Sequence, residues 1–388
     1  MEPRTDRVSV CRQSQRLHPP PIPLRTMESS TTTNISGDSP SSPHCVISLS
    51  TGLACSPPGP GSSPPPPESS PTSVVLQVLF VLFMAGTVVG NALVIAAVSL
   101  FGHLRTRTNA FTLSLAAVDA LIALVVMPFS STRTVRGGCW AYGGLFCKLH
   151  HALDYSLCTS SIVHLSCIAF DRYTAICHPL RYQALVNRRS VAAMLTFAWL
   201  GPTFYVVPFL LHWNTVGIEA MVVARTCPGD CVLYKNVGFV FLDTTCAFFV
   251  PMGIMIVAYA KIYRVARRQA RQIHASRAQS QENDDESRNR WRRMRREHGA
   301  TKTLATIMGV FLLCWLPIFL LSVVDPLIGY SSGGLAWNVV TWLGYVNSGI
   351  NPLLYASLNR PFRRAFGVLI RCGCRRVGRA GDDDAEAS

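Results

Sequence analysis

Charge is scarce in this chain. Of its 388 residues only 15% are Asp, Glu, Lys or Arg, while 49% are hydrophobic. A soluble domain carries roughly 25% charge, so the two or three soluble domains that the length allows are not expected. Acids are the scarcer sign: 21 Asp and Glu face 36 Lys and Arg, a formal net charge of +15. Such an excess suits nucleic acid or an anionic membrane surface. Motifs for nucleic acid are missing. The basic run Arg292, Arg293, Arg295 and Arg296 has no zinc-finger spacing and no phosphate-cradling glycine loop beside it. No apolar signal-peptide core precedes residue 73, so the first long apolar run is expected to act as the targeting signal. No nucleophile or metal-ligand set joins the acids embedded in apolar sequence, which argues against an enzyme.

What the chain does have is apolar length. Val74–Leu100 holds no charged residue, and as a helix it spans a hydrocarbon core of about 30 Å. Comparable stretches follow at 110–132, 146–173, 190–212, 236–263, 301–324 and 335–357. The expected fold is therefore an all-α membrane protein, a bundle of seven transmembrane helices. Loop charge orients it. Segment 264–302 carries twelve Lys/Arg against five Asp/Glu. Arg105, Arg107, Arg181, Arg188, Arg189 and the tail arginines Arg360, Arg363, Arg364, Arg371, Arg375 and Arg376 fall on the same side. The first 73 residues balance five Arg with five acids. By the positive-inside rule the N-terminus lies outside and the tail in the cytoplasm of a plasma-membrane protein.

The expected organisation is an extracellular disordered segment 1–73, rich in Ser, Thr and Pro, then a seven-helix domain 74–358 containing an inner loop 264–300. A short amphipathic eighth helix 359–370 and a cytoplasmic tail 371–388 complete it. Asn34-Ile35-Ser36 is a glycosylation sequon on the outer side. Fourteen cysteines are present. Cys147 opens the third span, and Cys227 and Cys231 lie in the outer loop before the fifth. A bond from Cys147 to one of these two would hold that loop over the bundle. Cys158, Cys167, Cys246 and Cys314 read as packed thiols. Cys372 and Cys374, beside the inner leaflet, are candidate acylation sites.

Several polar residues sit where lipid would penalise them. Asp119 is an interior carboxylate, a helix-joining group or an ion or proton site with sodium as the candidate ion. Asn91, Asn347, Ser348 and Asn351 are its expected polar partners. Asp154 lies seven residues past Cys147, about 11 Å inward, and can receive a cationic ligand. Asp243, eight residues before Pro251, is a second acid in the outer half. Two carboxylates across one cavity suit a ligand with two cationic ends. Trp315 and Phe319, four apart, and Trp342 and Tyr345, three apart, can line that cavity with rings. Pro251, Pro317 and Pro352 interrupt three spans and permit kinks. Asp171-Arg172-Tyr173 ends the third span, Arg172 being about 27 Å along the helix from Asp154.

Taken in order, Asn91, Leu115 through Asp119, Cys147, Asp171-Arg172-Tyr173, Trp199, Pro251, Cys314-Trp315-Leu316-Pro317 and Asn351-Pro352-Leu353-Leu354-Tyr355 resemble the rhodopsin-like G protein-coupled receptors over residues 74–370. Asp154 and Tyr345 are similar to the biogenic-amine branch. Trp213-Asn214, the Cys227 and Cys231 pair and the run Asn347 to Pro352 look most like trace amine-associated receptors. Asn359-Arg360-Pro361-Phe362 and Ile318 depart from those patterns, the former standing nearer to serotonin receptors. The resemblance implies a Cys147–Cys231 bond and a second bond from Cys227 to Cys45 or Cys55. It implies that Asp154 holds a ligand ammonium. It also implies that Asp119, Asp171, Arg172, Tyr173, Pro317, Asn351, Pro352 and Tyr355 form the switch toward a heterotrimeric G protein, with arrestin and a receptor kinase as further partners. The resulting expectation is a receptor for small amines, diamines or polyamines preferred because of Asp243. A serotonin-like monoamine receptor and an amine transporter are the alternatives.

Overall fold

The computed structural model describes residues 71–136, 138, 140–226, 231–279 and 285–372, and for 269–270, 273–305 and 372 the backbone alone. Asn34, Cys45, Cys55, Cys227 and Cys374 lie outside the described residues. The long helices are α1 (Pro71–Leu100), α2 (Arg107–Val135), α3 (Gly144–Cys177), α4 (Arg188–Leu210), α5 (Val237–Thr244, Thr245–Phe249 and Val250–Gln279), α6 (Asp285–Leu327), α7 (Gly334–Leu358) and α8 (Arg360–Cys372).

Their starts have local causes. Thr106 accepts the Asn109 N–H at 3.2 Å to open α2, and Asn187 and Ser190 cap each other's backbone at α4. Asn236 accepts the Phe239 N–H at 2.8 Å to open α5. Each cap satisfies a donor that a helix end leaves bare.

Among the described residues, α1 to α6 contain spans long and apolar enough to cross a membrane. The expected seventh apolar span differs. With 25 residues α7 reaches about 37 Å, ample length. Its apolarity is diluted by Asn347, Ser348 and Asn351, all buried in the bundle. Within the expected inner loop 264–300 the described backbone is helical, α5 continuing to Gln279 and α6 beginning at Asp285.

The distribution of side chains inverts that of a soluble protein. Leu82, Leu313 and Leu353 are 63%, 73% and 66% exposed, whereas Asp119, Ser161 and His164 have no exposure. Apolar groups outside and hydrogen-bonded polar groups inside are what lipid requires. This is a multi-pass membrane protein.

Central α3 packs on α2, α4 and α5; α6 joins α5 to α7, and α1 closes against α2 and α7. A Cβ on Gly349 would meet Phe83 at 2.8 Å and Thr87 at 2.9 Å, so glycine is what lets α7 approach α1. Phe362, Ala365 and Phe366 of α8 pack on Val94 and Val98 of α1 and on Phe101 just beyond it, while Arg363 and Arg364 face outward.

Two π-bulges bear on the interior, at Ile122–Val126 in α2 and Thr245–Phe249 in α5. Each inserts a residue's width into a helix and rotates one half against the other.

Candidate functional site

The disulfide end is built around α3. Cys147 at its start is bonded to Cys231, with Cα atoms 5.7 Å apart, and this fastens the loop before α5 to the bundle. His151 stands 3.4 Å from the Cys231 sulfur. The three residues cluster closely enough for a metal, but both thiols are consumed by the disulfide.

Two turns further along α3, half-buried Asp154 accepts the Tyr345 hydroxyl of α7 at 3.0 Å and the Cys158 thiol at 3.3 Å. The Tyr345 oxygen also lies 3.1 Å from Ser130 of α2, which is 3.3 Å from His150 Nε2. The chain Asp154–Tyr345–Ser130–His150 thus ties three helices. Its direct hydrogen bonds to the carboxylate come from uncharged groups, so the negative charge is held but not consumed. A cation on a neighbouring span was not expected; Arg133 of α2 carries one.

Asp243 is placed differently from expectation. Its Oδ2 lies 2.6 Å from Lys235 Nζ, the two side chains 6% and 18% exposed. Its Oδ1 accepts the Tyr155 hydroxyl. Lys235 also sits over the Tyr155 ring, 5.1 Å from its centroid. The second acid is therefore compensated from within the chain, by a lysine in the loop eight residues earlier. Tyr155 follows Asp154 in sequence, so adjacent α3 residues connect one acid to α7 and the other to α5.

The four aromatic candidates divide into two groups. Trp315 and Phe319 have ring centroids 6.1 Å apart, and Phe319 stacks on Phe248 of α5 at 4.4 Å. Trp342 stacks on Phe80 of α1 at 4.0 Å, meets Tyr345 edge-on at 5.4 Å and donates to Thr134 at 3.1 Å. Tyr345 thus bonds Asp154 with Trp342 packed edge-on against its ring, while Trp315 and Phe319 join α6 to α5. Sequence reasoning missed Ser130, Arg133, His150, Tyr155, Lys235 and Phe248. Only Tyr155, beside Asp154, carried a usable sequence signal.

At mid-bundle, Asp119 accepts Asn351 Nδ2 at 2.8 Å and Ser161 Oγ at 3.3 Å. Asn91 Nδ2 donates to the Ser348 carbonyl at 3.1 Å, leaving its own Oδ1 buried and unpartnered. The Asp119 carboxylate and Ser161 hydroxyl are oxygen donors of the kind a small hard cation such as sodium takes.

At the other end of α3, Asp171 receives Arg172 Nε at 2.9 Å, Thr108 Oγ1 at 2.9 Å and the Tyr182 hydroxyl at 2.9 Å. Arg172 also donates to Thr108. Lys261 of α5 lies over the Tyr173 ring at 5.4 Å. Pro317 and Pro352 lie inside α6 and α7, and Tyr355 stacks on Phe362 at 5.4 Å. Cys158, Cys167, Cys246 and Cys314 are free thiols, three of them buried.

Comparison with known proteins agrees with this geometry. Residues 90–355 match the family described as 7 transmembrane receptor (rhodopsin family). Trace amine-associated receptor 365 of Petromyzon marinus is 44% identical over 296 residues, 76% of this chain and 79% of that one. The 5-hydroxytryptamine receptor 4 of Homo sapiens is 40% identical over 307 residues, 75% and 78% of the two chains. Trace amine-associated receptor 13c of Danio rerio is 38% identical over 301 residues, 77% and 86%. Trace-amine and serotonin receptors thus stand side by side among the relatives. The chain belongs to the rhodopsin family of seven-transmembrane receptors, in the amine-receptor branch, and its signalling partner is a heterotrimeric G protein.

Proposed function

We propose that the disulfide end faces the cell exterior and binds a small amine, whose ammonium is held by Asp154. The observation that carries this reading is a half-buried carboxylate whose direct hydrogen bonds come from the neutral Tyr345 and Cys158. An ammonium arriving there gains a charge-assisted bond and a ring neighbour in Trp342. Trace amine-associated receptor-like character is favoured by Trp213-Asn214, and serotonin receptor-like character by the sequence after α7. The paired state of Asp243 favours a monoamine. A diamine or polyamine is the second reading, and it requires Lys235 to be displaced.

Binding pulls on α7 through Tyr345 and reshapes the Trp315–Phe319–Phe248 stack, which biases α6 about Pro317. At the cytoplasmic end, movement of α6 and α5 frees Arg172 from Asp171 to meet the G protein; arrestin and a receptor kinase would use the same opened face. Asp119 and Ser161 would hold a sodium ion that stabilises the inactive arrangement.

The test is a panel of monoamines and diamines of graded length, read by several G protein pathways. Loss of response in Asp154→Asn at unchanged surface abundance supports the assignment. Equal potency in the variant for every amine overturns it.

A further inference from the structure

Lys235 is held in place as if its aim mattered. Its carbonyl accepts the Tyr330 hydroxyl at 2.8 Å. On one side, the Tyr234 carbonyl accepts Asn214 Nδ2 at 2.8 Å. On the other, the Asn236 N–H donates to the Asn214 carbonyl at 2.6 Å, and the Asn236 amide donates to the Trp213 carbonyl at 2.8 Å. Cys231, four residues earlier, is fixed by the disulfide. Three consecutive residues of a loop are thereby pinned, and the long side chain between them is directed at one carboxylate. A flexible surface lysine would lose conformational freedom for little return. Here the partner is buried, and the ammonium also covers the ring of Tyr155.

The geometry points to Lys235 as a built-in ammonium that occupies the Asp243 subsite and sets ligand specificity, admitting monoamines at Asp154 and excluding diamines. This rests on the amine reading above. A diamine anchored at Asp154 would bring its second ammonium toward a carboxylate already neutralised at 2.6 Å. Like charges would then crowd one partly dehydrated site. Among the described residues, the pocket beside Lys235 is too small to seat a second ammonium. A slot lined by His151, Tyr155, Tyr205, Phe209, Lys235 and Phe239 has a volume of about 20 Å³, enough for one water and walled largely by rings. Removing the lysine would expose a second buried acid, bonded to Tyr155, the residue next to Asp154, and an ammonium is the chemistry that compensates it. The corollary is that an unpaired acid at Asp243 makes a diamine receptor, and a paired one makes a monoamine receptor.

The experiment uses the full-length receptor, tagged for surface quantification, with unbranched monoamines and diamines of matched length as probes. Affinities of wild type, Lys235→Gln, Lys235→Arg, Asp243→Asn and the Lys235→Gln/Asp243→Asn double variant are compared at fixed salt. In Lys235→Gln the diamine-to-monoamine affinity ratio is expected to rise by about tenfold or more at the best-fitting length. Lys235→Arg should keep the wild-type ratio, and the double variant should lose the gain. An unchanged ratio in Lys235→Gln across the length series overturns the inference. Where Lys235→Gln fails to reach the surface, Asp243→Asn decides. Its bare lysine should depress diamine binding more than monoamine binding, and equal losses overturn the proposal. Asp154→Asn separates the two readings. A wild type that binds monoamines through Asp154 but shows no Lys235-dependent ratio refutes the specificity role alone, while a wild type that binds no amine removes both.

Discussion

Replacing Asp154 by Asn separates the ligand-anchor role from a structural one, because the two roles have different magnitudes here. Within the fold the carboxylate makes two direct hydrogen bonds, to Tyr345 at 3.0 Å and Cys158 at 3.3 Å. Asparagine keeps an acceptor for one of them. The Tyr345 hydroxyl, if released, still has Ser130 within 3.1 Å. The structural loss is therefore about one hydrogen bond, roughly 0.5–1.5 kcal/mol. The ligand loses an ion partner in a half-buried site, for which truncation costs about 2–5 kcal/mol. That corresponds to roughly 30- to 4,000-fold in Kd. Tyr345→Phe gives an internal scale: it keeps the charge and removes only an orienting hydroxyl, so it should shift affinity by about tenfold or less. The assay is saturation or displacement binding at equal surface receptor, with thermal unfolding of the solubilised protein measured in parallel. The expected order is a large affinity loss and a small stability loss for Asp154→Asn. A variant whose binding falls only in proportion to its folded fraction would refute the reasoning, as would an unchanged Kd for every amine.

Removing the disulfide with Cys147→Ser/Cys231→Ser opens a closed loop with a sequence separation of 84. Chain entropy puts its contribution at up to about 4.5 kcal/mol, so surface expression and thermal stability should both fall, and ligand dissociation should quicken as the loop lifts. Asn351→Ala deprives buried Asp119 of its 2.8 Å donor, a loss of about 1–3 kcal/mol visible in thermal unfolding. Asp119→Asn should abolish any dependence of agonist affinity on sodium, measured by exchanging sodium for a bulky organic cation; persistent dependence would place the ion elsewhere. Tyr182→Phe removes one of three groups holding Asp171. It should raise ligand-independent nucleotide exchange on the G protein, and unchanged basal exchange would count against restraint of Arg172 by this cluster.

The sequence made the bundle legible because lipid imposes a one-dimensional signal. A span needs length and apolarity, and α1 to α6 have both. It also exposed Asp119 and Asp154, since a carboxylate inside such a run needs a reason. The seventh helix already tests the limit of that signal. Its Asn347, Ser348 and Asn351 face the interior, so its apolarity falls although it spans the same bundle.

Pairing was not legible in the same way. Lys235 lies in a loop, outside every apolar run, and nothing in its neighbours marks it as the partner of Asp243. Its aim depends on hydrogen bonds to Asn214 and Tyr330, residues 21 before and 95 after it. The bulge at Thr245–Phe249 hides the geometry further. In an uninterrupted α-helix, Asp243 and Phe248 would point about 140° apart, since five residues advance 500°. One added residue at the bulge brings the spacing near four, about 40°, and both side chains turn inward, 5% and 0% exposed. Helical periodicity read from the sequence would thus set the acid and the aromatic on different faces. The physical consequence is specific: with α5 bulged, Asp243 and Phe248 are both interior, and the buried acid needs a cation, which the pinned Lys235 supplies. Counting Asp154 and Asp243 in the sequence suggests a ligand with two charges; after folding, Asp243 is closed by a direct lysine bond and Asp154 is not.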